Sequence, residues 1–71
     1  MIIVGVFENG GEVYTCSTKT EKRLTNKQAV DLILRDANMC WDELVDCLVI
    51  SGGRDCGQID LGELEQFYEE E

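Results

Sequence analysis

Ile2-Ile3-Val4-Gly5-Val6-Phe7-Glu8-Asn9-Gly10-Gly11-Glu12-Val13-Tyr14-Thr15-Cys16 is the stretch on which the fold turns. Ile2 to Phe7 is β-branched, aromatic and nearly continuous in apolar character, the pattern of a strand in the middle of a sheet. Glu8-Asn9-Gly10-Gly11 interrupts it. The Asn9-Gly10 pair supplies the positive φ angles of a type I′ turn and so predicts a hairpin. The return strand, about Glu12 to Thr18, mixes Val13, Tyr14 and Cys16 with polar residues, as a partly solvated strand does.

Downstream, Lys19 to Leu24 reads as a polar connector and Thr25-Asn26-Lys27-Gln28 as a capping box. Val30, Ile33, Leu34 and Ala37 then recur at helical spacing, and Asn38 provides a left-handed stop. Trp41 to Val45 has room for a short helical turn, and Leu48-Val49-Ile50, with Cys47, reads as a third strand closed by Ser51-Gly52-Gly53. Asp60-Leu61-Gly62-Glu63 is a second capping-box pattern, with Ile59 and Leu64 as its hydrophobic staple and Leu61, Leu64, Phe67 and Tyr68 on one face. The expected fold is a single compact α+β domain over residues 1–71, in the order β-β-α-β-α. A small antiparallel sheet, the N-terminal hairpin plus a third strand, carries two helices on one face.

The hydrophobic fraction of 44% in 71 residues is that of a folded chain rather than an acidic tail. Met1 to Phe7 lacks the basic flank and cleavage site of a signal peptide, and no apolar run approaches the ~20 residues of a membrane span. A soluble, cytoplasmic monomer is expected. The four cysteines, Cys16, Cys40, Cys47 and Cys56, are irregularly spaced, and there is no histidine. Buried reduced thiols account for them better than a zinc site does, and no cofactor is expected.

Without histidine, no Ser-His or Cys-His pair can form, and so small a domain has little volume for a substrate cleft; an enzyme is not expected. Cys56 to Leu64 resembles the back half of an EF-hand loop, with Gly57 at the sharp turn and Glu63 as last ligand. Gly52, Arg54 and Cys56 stand where the first three oxygen ligands belong, so no metal site is assigned. Ser51-Gly52-Gly53-Arg54 reads as a turn rather than a phosphate cradle. Lys19, Lys22, Arg23 and Lys27 are too few to bind nucleic acid on this chain directly.

Charge is the informative quantity. The net charge is −9, and residues 36–71 hold eleven acids against Arg54 alone, whereas residues 1–35 hold four acids against five bases. Such segregation favours a partner of opposite sign. On the second helix Glu63, Glu65, Glu69 and Glu70 form a row of anions, joined by Asp42, Glu43, Asp46, Asp55 and Asp60; these nine are the candidate partner-binding residues. A groove that displaces counterions from DNA phosphates would recognise them by the same electrostatics.

In length, acidity and compact α+β layout the chain resembles the small phage-encoded anti-CRISPR proteins of the DNA-mimic type. That resemblance implies occlusion of the basic DNA-binding surface of a type I CRISPR effector, of subtype I-C, at the large subunit that reads the protospacer-adjacent motif. The acidic surface is equally suited to another DNA-binding enzyme. A protein–protein adaptor working through a sheet edge, or a degenerate EF-hand-like or zinc module, are the other readings.

Overall fold

The computed structural model describes residues 1–51 and 55–68. Strands β1 (Ile2–Asn9), β2 (Glu12–Lys19), β3 (Leu44–Ser51) and β4 (Asp55–Gln58) form one antiparallel sheet in the order β2-β1-β3-β4. Helices α1 (Asn26–Ala37) and α2 (Leu61–Tyr68) lie on one face of it, and a single 3-10 turn, Trp41–Glu43, precedes β3. The expected α+β layout is therefore present, extended by a fourth short strand. No helix among the described residues is long and apolar enough to cross a membrane.

The hairpin forms one residue later than the Asn9-Gly10 signal indicates. Asn9 still pairs with Glu12, and the two turn positions are Gly10 and Gly11, with φ of 63° and 85°. Both angles are left-handed, as a type I′ turn demands, and two glycines meet that demand at less steric cost than Asn followed by Gly. Around the turn, Ile3, Gly5 and Phe7 face the helices, while Ile2, Val4 and Val6 point to the opposite side.

Helix α1 starts and stops where its residues direct. The Thr25 hydroxyl accepts the Gln28 N–H at 3.2 Å, and the Gln28 side chain accepts the Thr25 N–H at 3.0 Å. Asn38 ends the helix in the left-handed region at φ 59°, with its N–H on the carbonyls of Leu34 and Arg35. Val30 and Ile33 are fully buried; Ala29 joins them, and Leu34 and Ala37 sit at the margin. Gly5 is what lets α1 approach β1. A methyl group there would lie 2.9 Å from Ile33 Cγ1 and 3.0 Å from the Phe7 ring.

Strand β3 begins earlier than Cys47, because the short turn at Trp41–Glu43 delivers Leu44 directly opposite Phe7. The register shifts between Val6, opposite Asp46, and Phe7, opposite Leu44, so Val45 is an extra residue and is exposed. Asp55–Gln58 pairs with β3, with Gly57 opposite Val49. The likeness to an EF-hand loop thus does not extend to conformation: Gly57 lies in a strand, not at a sharp turn. The Ser51–Arg54 turn falls mostly outside the described residues. Leu64 and Ile59 are buried together, as the staple requires, but Phe67 is exposed rather than inward. Ile3, Phe7, Ala29, Val30, Ile33, Leu44, Cys47, Ile59 and Leu64 form the core.

Candidate acidic surface

Asp60 sets the position of α2. Its Oδ1 accepts the Gly62 N–H at 3.0 Å and its carbonyl accepts the Glu63 N–H at 3.1 Å, so one carboxylate oxygen is committed to the helix start. Glu63, in the first turn, is exposed and stabilised there by the positive end of the helix dipole. Glu65 is exposed on the same helix.

The backbone of β3 carries Asp46 to this neighbourhood. Asp46 Oδ1 accepts from Gln58 Nε2 at 2.8 Å and from the Cys47 N–H at 2.9 Å, bracing the carboxylate from the neighbouring strand and from its own. Asp46 and Asp60 line one open groove of about 520 Å³, with Val45, Gln58, Ile59, Leu61 and Gly62 completing it. Gly62 also borders a shallow recess walled by Glu63, Glu65 and Gln66. Asp46, Asp60, Glu63 and Glu65 therefore share one continuous stretch of surface.

Asp42 is exposed on the 3-10 turn, and that turn is tied to the end of α2: Trp41 stacks on Tyr68 with ring centroids 4.3 Å apart. Both rings are half-buried packing groups rather than free anchors. Glu43 has a local task. Its Oε1 accepts the Cys40 N–H at 3.0 Å and its Oε2 accepts from Asn9 Nδ2, which ties the turn to the end of β1. Asp55 is placed in β4 opposite Ser51, and Glu69 and Glu70 lie outside the described residues.

The one ion pair among the described residues is Lys27 Nζ to Asp31 Oδ2 at 2.7 Å, on α1. Asp31 also accepts from the Tyr68 hydroxyl. Partial burial works to raise its carboxyl, but the bonds from Lys27 and Tyr68 and the lysine charge outweigh that and hold it below the usual range. Burial first, and then the bond to Asp31, push the Tyr68 hydroxyl upward, so it stays a donor. This three-residue contact links α1 to α2 and was not foreseen from the sequence; only the i, i+4 spacing of Lys27 and Asp31 announces part of it. Asp42, Asp46, Asp60, Glu63 and Glu65 have no basic partner among the described residues.

No group of three or more metal-ligating side chains converges among the described residues. The Cys47 thiol is buried and pushed up to about 11, by desolvation and then by the Asp46 charge, which makes it a packing group rather than a nucleophile. No protein-family model, curated protein or solved structure matches this chain, so the reading of its acidic surface rests on the chain's own residues.

Proposed function

We propose that this chain is a binding and blocking protein that offers a fixed acidic surface to the basic DNA-binding groove of another protein. The observation that carries the reading is the continuity of Asp46, Asp60, Glu63 and Glu65 along β3 and α2, with Asp42 on the turn before β3, none of them in an ion pair among the described residues. Asp46 and Asp60 are braced by hydrogen bonds, and a braced carboxylate loses less side-chain entropy on binding than a free one. Anions spaced along ordered backbone can take the place of DNA phosphates against lysines and arginines. Following the class resemblance, the partner is the large subunit of a type I CRISPR surveillance complex, and the consequence is loss of target DNA binding.

The test is competition between this protein and a labelled target duplex for a purified type I complex, across a salt series. Displacement that weakens steeply with salt, and that falls about tenfold on combining Glu63→Gln with Glu65→Gln, is expected. Displacement indifferent to salt and to those changes would overturn the electrostatic reading. Absence of displacement, with competition instead at a restriction nuclease or a DNA glycosylase, would move the same mechanism to another DNA-binding enzyme.

A further inference from the structure

Both helices cover the same side of the sheet, which leaves its other face without a layer. That face presents Ile2, Val4 and Val6 from β1 beside Ile50 and Leu48 from β3, and none of these five packs against the core. Antiparallel strands with one solvated face ordinarily alternate apolar with polar residues, whereas continuous apolar runs belong to strands covered on both sides. Ile2 to Phe7 and Leu48 to Ile50 are of the second kind. The face is also nearly free of the charge that dominates the rest of the chain. Around its apolar centre lie Thr15 and Ser17 from β2 and Gln58 from β4, with Lys19 at one end of the strands and Glu8 and Asp46 toward the other.

From this we infer that the uncovered sheet face is the seat of a second copy of this chain, the two sheets stacking face to face as the halves of a sandwich. A second copy meets three requirements at once. It brings an apolar face of the same outline and twist, and two sheets with the same twist stack with strands about 30° apart. The area suits a weak pair: four strands of up to eight residues present a flat face of roughly 500 Å², below the ~800 Å² per partner of specific, stable interfaces. The charges complement. When the two copies run in opposite directions about a two-fold axis across the strands, the Lys19 end of each lies over the Glu8 and Asp46 end of the other. The helices face outward in both copies, so the dimer displays Glu63 and Glu65 of α2 twice and takes Asp46 into the interface.

Two molecules of net charge −9 repel, which limits the affinity to a Kd of order 10 µM and makes it tighten as salt screens the repulsion. This is the opposite salt dependence from binding to a basic partner, so the two associations are separable. Sedimentation equilibrium of the whole chain across a salt series tests it. The expected result is a reversible dimer that strengthens with salt. Lys19→Glu, at an exposed position, should keep the native circular dichroism and weaken dimerisation at least tenfold, and Val4→Glu should leave a monomer. A chain that stays monomeric at about 1 mM at every salt concentration would overturn the inference. So would a dimer whose Kd is unchanged in a natively folded Lys19→Glu variant, which decides the matter even if Val4→Glu does not fold.

Discussion

The ring of Tyr68 lies flat on that of Trp41, with planes 9° from parallel and centroids 4.3 Å apart. Lys27 lies over the same tyrosine ring, its Nζ 5.2 Å from the centroid, while the tyrosine hydroxyl reaches Asp31. Four side chains from three elements thus hold the end of the eight-residue helix α2, which has Leu64 as its one buried side chain. An isolated helix that short has little stability of its own. Trp41→Ala should therefore cost about 2 kcal/mol, from lost stacking and buried area, and Tyr68→Phe about 1 kcal/mol. Urea unfolding followed by circular dichroism measures both. Equal stability of Trp41→Ala and the parent would show that α2 does not depend on this contact.

Gly5→Ala should destabilise by about 1–3 kcal/mol, because its methyl group would press on Ile33 and Phe7, both fully buried. Pairing Gly5→Ala with Ile33→Ala should cost less than the two single losses summed, since the alanine lacks the Cγ1 on which the methyl group would press. Additive losses in the double variant would place the strain elsewhere.

Asp31 gives a pH signature. Its carboxyl is held low in the folded state, so the stabilisation is present above the ordinary carboxylate value and disappears as pH falls through the lower folded one. Asp31 is half exposed, so the effect should be under about 1 kcal/mol. Asp31→Asn should be less stable than the parent at neutral pH, and the two should converge as the pH falls through the lowered carboxyl value of the folded state. Parallel stability curves down to acid pH would remove Asp31 as the source.

The thiols should separate by reactivity. Cys40 is exposed, whereas Cys47 is fully buried and pushed up to about 11. At pH 8 a maleimide should label Cys40 within the mixing time, and Cys47 only as fast as the sheet opens. Peptide mapping by mass spectrometry reads both sites. Prompt labelling of Cys47 in folded protein would contradict its burial.

What was legible in the sequence was local. Thr25 with Gln28, the left-handed Asn38 and the apolar spacing of α1 act within a turn or two of chain, and each appears in place. The same holds for Ile2 to Phe7 and for the staple of Ile59 and Leu64. Strand β4 was illegible, because Asp55-Cys56-Gly57-Gln58 has no β-branched or aromatic residue and is a strand by virtue of its pairing with β3. Spacing alone puts Phe67 inward, but Leu64 and Tyr68 take the narrow contact and leave Phe67 exposed beside Lys27. Of the acidic surface, composition reveals the number of carboxylates. Only the register of β3 shows that Asp46 stands beside Asp60, and only the hydrogen bonds show that Glu43 is occupied locally.

Strand β1 is hydrogen-bonded on both sides, with Ile2 opposite Lys19 in one neighbour and Ile50 in the other. The first pairing closes through two glycines and can form within microseconds, whereas the second must bring together segments separated by the connector, α1 and the 3-10 turn. Folding should therefore proceed from a hairpin that forms and dissolves repeatedly until β3 docks, with the loss of chain entropy on that docking as the barrier. A chain emerging from the ribosome keeps the apolar strand β1 half-paired until Ile50 is free. During that interval the strand carries an open edge on which intermolecular pairing can begin.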